Sequence, residues 1–187
     1  TCNAPDDSFI QEDIKSHFVE FLKKDITKSY GKNPKESPDF ARIVNEKNCL
    51  RLMSLIEPEK VIFGGETDIE DCFIAPTLIE ENSLDTLLMR EEIFGPLLPI
   101  ITYKEEKEIA QTISRYEKPL ALYVFTDDRK FARKIVTSFS FGGGCVNDTV
   151  IHFANKRLPF GGVGHSGIGA YHGQLSFDTF SHHKGIV

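Results

Sequence analysis

Leu97-Leu-Pro-Ile-Ile-Thr-Tyr103 is followed by Glu105-Glu-Lys-Glu-Ile-Ala-Gln-Thr-Ile-Ser-Arg-Tyr116 and then by Leu120-Ala-Leu-Tyr-Val-Phe125. The first and third runs are short and apolar, as buried strands are. The second sets Ile109 and Ile113 four residues apart on one helix face. The alternation continues. Thr126 or Asp127 is placed to cap a helix whose Phe131, Ile135 and Phe139 share a face, and Gly142-Gly-Gly144 leads into Cys145-Val146. Strands separated by helices form βαβ units, which predicts an α/β fold: a mostly parallel sheet with flanking helices and function at the carboxyl ends of its strands.

The preceding segment fits the same scheme. Residues 8–11 read as a short strand, and Ile14, Phe18, Phe21, Leu22 and Ile26 recur at helical spacing until Gly31. Residues 45–57 form a second helix with Leu52, Leu55 and Ile56 on its apolar side, stopped by Pro58. Lys60-Val-Ile-Phe63 and residues 73–79, the latter interrupted by Pro76, are neighbouring strands. Beyond residue 176 no helical pattern is evident. Phe177, Thr179 and Phe180 suggest a terminal strand able to pair with another subunit.

Composition narrows the function classes. The 187 residues carry a net charge of -6 without long blocks, which argues against a nucleic-acid surface. Lys23-Lys24 and Arg129-Lys130 read as solvated helix faces. No apolar run approaches the length of a membrane span. The four cysteines, Cys2, Cys49, Cys72 and Cys145, are far apart and form no CxxC, so reduced thiols in a cytoplasmic protein are expected rather than a zinc site or a disulfide framework. His182-His183 is read as exposed rather than metal-binding. Gly162-Val-Gly-His-Ser-Gly167 satisfies GxGxxG, but Arg157-Leu-Pro-Phe precedes it where a dinucleotide-binding fingerprint needs a strand.

Six segments in order carry a family resemblance: Cys2-Asn-Ala-Pro-Asp6, Glu91-Glu-Ile-Phe-Gly-Pro96, Lys118-Pro-Leu-Ala-Leu-Tyr123, Cys145-Val-Asn-Asp148, Pro159-Phe-Gly-Gly162 and Ser166-Gly-Ile-Gly169. Together they resemble the second half of an aldehyde dehydrogenase, particularly the class 3 branch that oxidises fatty and aromatic aldehydes. Asp7 departs from that branch, which commonly has an aromatic residue there.

The resemblance implies that Cys2 is the catalytic nucleophile. Its thiolate would attack the aldehyde to give a thiohemiacetal, whose oxidation leaves a thioester for activated water to hydrolyse. It implies that Glu92 holds the nicotinamide ribose and that Phe94 lies beside the nicotinamide of NAD or NADP. His152, Phe153 and Phe160 would line the aldehyde pocket, and Asn147 would be a buried amide supporting the nucleophile loop. Residues 1–175 would be the catalytic domain and residues 176–187 an oligomerisation strand for a homodimer. The NAD-binding domain, the glutamate base and an oxyanion donor would lie outside this chain, so the isolated chain is expected to be inactive. Two other classes stay open: a non-catalytic assembly module, and a thiol-dependent hydrolase using Cys2 with His17, His152, His165 or His172, none of which stands in a hydrolase motif.

Overall fold

A computed structural model describes residues 3–187. The chain folds as two compact units, one of Pro5–Ala110 and one of residues 3–4 with Gln111–Val187.

The Pro5–Ala110 unit is built on a four-stranded sheet in the order β1-β6-β5-β2. Strand β1 is Ser8–Gln11, β2 is Val61–Phe63, β5 is Thr77–Glu80 and β6 is Leu97–Tyr103. β6 pairs in parallel with both β1 and β5, and β2 closes the far edge antiparallel to β5. Between β2 and β5 the chain makes a small antiparallel hairpin, β3 (Thr67–Asp68) with β4 (Phe73–Ile74). The single apolar run expected over residues 73–79 is thus two strands, split at Ala75-Pro76.

Pro99 sits inside the central strand, a position that ordinarily forfeits a ladder bond. Here the loss is avoided. The carbonyls of Pro96 and Ile100 accept from Thr77 and Glu81, so this alternate set of residues faces β5. Pro99 belongs to the other set, facing β1, and pairing with β1 begins only at Ser8 opposite Ile100.

Helix α1 (Lys15–Tyr30) packs Phe18, Val19, Leu22 and Ile26 toward a cluster with Ile10, Leu78 and Ile100. Val19 is the residue it buries fully, whereas Ile14 and Phe21, assigned to the apolar face from sequence, are 53% and 63% exposed. Lys24 lies 5.8 Å from the Phe21 ring centroid, so this aromatic meets a charged side chain at the surface rather than the core. Helix α2 (Glu46–Met53) is capped by Asn45 and buries Cys49 and Leu52 against Leu55, Ile74, Ile79, Leu88, Ile93 and Leu97. Glu81, only 1% exposed, is fully engaged: it accepts from Lys60, from Thr86 and from the backbone of Asn82 and Ser83. Burial would raise this carboxyl, yet those bonds hold it below its usual range.

Helix α3 (Glu106–Ile113) leads into the second unit, where β7 (Ala121–Val124) and β8 (Gly143–Val146) pair in parallel across helix α4 (Arg129–Ser138). The cap of α4 is Asp128, which accepts from Lys130 and Phe131; Thr126 instead accepts from Asp128, so both positions expected for the cap fall short of it. Two short helices follow, α5 (Ile151–Ala154) and α6 (Gly173–Thr179).

The terminal strand expected over residues 176–187 is corrected in part. Phe177 and Thr179 belong to α6, which Ser176 helps start by accepting from the His172 N–H and which Gln174 braces by donating to Asp178. Side-chain bonds one turn apart define this helix where apolar spacing does not. Ser181 to Val187 has no regular structure in the single chain.

Leu52 is 0% exposed and fills the space over Gly95, where an added Cβ would come within 2.6 Å of it. Leu52→Ala should destabilise the Pro5–Ala110 unit by about 2–5 kcal/mol, measured by urea unfolding. A loss below ~1 kcal/mol would mean that the cluster around α2 is loosely packed.

Candidate functional site

Cys2 lies outside the described residues. Asn3, next to it, is 5% exposed, and its carbonyl accepts a 2.7 Å bond from the Tyr123 hydroxyl.

The Glu91-Glu-Ile-Phe-Gly-Pro96 segment is a turn pinned at its middle. Ile93 is 1% exposed; its N–H donates to the Asp6 carboxylate at 3.1 Å, and its carbonyl accepts from the Arg51 guanidinium at 2.6 Å. Arg51 also pairs with Glu91 at 3.7 Å, which gives the first acid of the motif a structural partner. Ile93 is fixed inward, and Glu92 and Phe94 on either side of it are exposed. Phe94 has φ +49°, a left-handed conformation that a non-glycine residue adopts at a cost of about 1–3 kcal/mol. The buried side chain before it and the tight Gly95 position after it enforce that geometry.

Three carboxylates accompany this turn. Burial pushes Asp6 up despite the Ile93 N–H, and burial together with the Asp6 charge pushes Asp7 up to about 7. Partial burial and the Asp6 charge also raise Glu92. Arg51 is the nearby cation that moderates Asp6.

In the other unit, His152, Phe153 and Phe160 come together in one aromatic cluster. Phe160 lies 4.9 Å from Phe153, 6.1 Å from His152 and 5.9 Å from His172, and Tyr171 packs edge-on at 5.6 Å. A backbone bridge between Phe160 and Tyr171 holds the two segments of the cluster together. His152 is buried, with Nδ1 3.5 Å from the Cys145 Sγ, and burial holds its imidazole below the usual range, toward the neutral form. Its ring lies over Gly143, where an added Cβ would come within 2.9 Å of it. His152 Nε2 and His172 Nδ1 are buried without a hydrogen-bond partner among the described residues.

Asn147 is exposed rather than buried. Its side chain accepts from Thr126 N–H at 2.8 Å and donates to Thr126 carbonyl at 3.0 Å, closing the ends of β7 and β8. Its φ of +58° is one that Asn tolerates well. Val150, with φ +63°, is a β-branched residue in the left-handed region and opens the loop carrying His152 and Phe153.

The GxGxxG string is a turn and not a dinucleotide fingerprint. Ser166 Oγ accepts from the Val163 N–H at 2.8 Å and donates to its carbonyl at 3.1 Å, so the backbone doubles back on itself. At Gly162 a Cβ would strike the Ser166 carbonyl, so glycine is required by close approach. His165 pairs with Glu117 on the exposed side. Among the described residues, no group of three or more His, Cys, Asp or Glu is arranged to hold a metal, and no helix is long and apolar enough to cross a membrane.

Sequence reasoning gave no role to Asp6, Arg51 or Tyr123. Asp6 and Tyr123 lie within quoted motifs, which was the available signal. Arg51 meets Ile93 across 42 residues and had none.

The raised Asp7 carboxyl gives a pH test. The folded chain holds its proton more tightly than the unfolded chain, whose carboxyl titrates near 3.8, so stability falls as pH rises from there through about 7. Asp7→Asn should therefore be more stable than the parent at pH 8, with the advantage shrinking toward pH 4.5 in urea titrations. An advantage independent of pH would rule out a protonated Asp7.

Residues 1–186 match the sequence profile of the aldehyde dehydrogenase family. The chain is 45% identical over its whole length to 4,4'-diaponeurosporen-aldehyde dehydrogenase of Staphylococcus aureus, covering 41% of that protein. It is 44% identical over its whole length to the dimeric NADP-preferring aldehyde dehydrogenase of Bos taurus, covering 78% of that sequence. The solved substrate-bound state of Staphylococcus aureus AldH superposes on 97% of this chain with a TM-score of 0.93, the chain covering 40% of it. The chain thus spans about two fifths of the Staphylococcus relative's length. On whole-chain sequence match and shared structure, the chain belongs to the aldehyde dehydrogenase family.

Proposed function

We propose that this chain is the nucleophile-bearing part of a class 3-like, NAD(P)-dependent aldehyde dehydrogenase that oxidises fatty or aromatic aldehydes to acids. The observation that carries this reading is the pinned Glu92-Ile93-Phe94 turn, set within a whole-chain match to the family.

Glu92 and Phe94 fit a nicotinamide dinucleotide. An exposed carboxylate can accept from both hydroxyls of a ribose, and an exposed ring can restrain a flat heterocycle. When bound, such a cofactor supplies the oxidising equivalent for the aldehyde. This chain's residues hold the cofactor, carry the covalent step and line the aldehyde pocket. Ile93, held by Asp6 and Arg51, fixes the direction of Glu92 and Phe94. Cys2 forms the thiohemiacetal and then the thioester, dividing one difficult oxidation into two steps. Phe153, Phe160 and the neutral His152 form an apolar wall suited to a long-chain or aromatic aldehyde. The Staphylococcus relative is named 4,4'-diaponeurosporen-aldehyde dehydrogenase, which supports an aldehyde substrate here. Free thiols at Cys49, Cys72 and Cys145 fit a cytoplasmic setting.

Two tests follow. Joined to the amino-terminal half of a family enzyme, the chain should support aldehyde-dependent NAD(P) reduction, while the isolated chain should be slower by several powers of ten without the oriented cofactor and oxyanion donors. Cys2→Ser should abolish the activity, and Glu92→Gln should raise the KM for the dinucleotide about tenfold. Activity surviving Cys2→Ser would sink the assignment. We also assign homodimerisation to the terminal segment, where Phe180 and Ile186 are 90% and 82% exposed. Gel filtration of a chain ending at Thr179 should show the smaller species; equal sizes would count against that segment.

A further inference from the structure

The Tyr123 hydroxyl joins two segments that the sequence keeps far apart. It donates to the Asn3 carbonyl at 2.7 Å, across 120 residues, and the Val150 backbone N–H faces its oxygen and favours negative charge there. Asn3 follows the proposed nucleophile directly. Val150 opens the loop that carries His152 and Phe153, and its left-handed backbone is one that a β-branched residue holds only when its surroundings dictate it.

The phenol itself has little freedom. Tyr123 lies on β7 in register with Cys145 on β8, and its ring is 5.8 Å from the His152 ring. His152 is in turn held by the Cys145 sulfur at 3.5 Å and packs on Gly143. Burial, the leading influence, raises the phenol above its usual range, so at neutral pH the hydroxyl keeps its proton and remains a donor to Asn3.

We infer that Tyr123 is a positioning residue for the thiol chemistry: its hydroxyl ties the residue after Cys2 to β7, and its ring sets that strand against the His152 ring of the aldehyde-binding loop. The Asn3 segment then cannot shift relative to β7 without breaking this bond. This rests on the reading of Cys2 as the nucleophile.

The test is peptide-resolved alkylation by iodoacetamide, followed by mass spectrometry from pH 5 to 10, on the native chain, on Tyr123→Phe and on a free peptide of residues 1–8. The native Cys2 should react at a rate and midpoint distinct from the peptide. Tyr123→Phe should move Cys2 about tenfold back toward the peptide while Cys145, opposite Tyr123 in the ladder, stays within about twofold. Amide exchange at Val150 should quicken in the same variant. A native Cys2 indistinguishable from the peptide would overturn the nucleophile reading and this inference together. A distinct native profile left unchanged by Tyr123→Phe would overturn the inference alone. Should Tyr123→Phe fail to fold, 3-fluorotyrosine at position 123 keeps the ring and alters only the hydroxyl's donor strength. An unshifted Cys2 profile there also overturns the inference.

Discussion

β6 must be covered on both faces and both edges. Leu97, Ile100 and Ile101 are buried, and Pro99 is among the most fully enclosed residues of the chain. A strand so apolar needs a hydrogen-bonded neighbour on each side, because unpaired backbone groups at that depth are costly. β1 and β5 supply them, and the helices are amphipathic because they close what the strands leave open. Even the proline is accommodated by where the neighbouring strand starts.

That depth is what makes the adjoining turn precise. Gly95 and Pro96 lead directly into β6, so Ile93 is drawn into the same core, and the polar partners on its two backbone groups are Asp6 and Arg51. The exposed Glu92 and Phe94 inherit their placement from a buried neighbour. In the second unit the same logic runs through aromatics: Phe160 is fixed by contacts on several sides and by a backbone bridge, while His152 and Tyr123 connect it to the β7–β8 ladder.

Much of this was legible in sequence, for identifiable reasons. β1, β6 and β7 and the four longer helices announce themselves through their apolar patterns, and the order of six motifs reveals the family. The failures share another cause. Phe21 was placed on the apolar face by its helical spacing, yet Val19 is the residue that points inward and Phe21 stays exposed beside Lys24. Helix α6 went unseen because polar side chains of Ser176, Gln174 and Asp178 organise it. Asn147 was expected to be buried near the nucleophile, and its amide instead closes on Thr126. Long-range partners such as Arg51 with Ile93, and Tyr123 with Asn3, have no local signature at all.

The left-handed residues carry a consequence for how such a chain can change over generations. Phe94, in the pinned turn of one unit, and Asn147, Val150 and His172, in the other, all have positive φ. At Val150 or His172, glycine or asparagine would relax the backbone, and selection for thermal tolerance alone would favour the exchange. The relaxed loop would then be free to sample several shapes. Retaining an awkward residue at such positions is how a lineage keeps a site in one shape, and heat resistance gained there would be drawn from catalytic order.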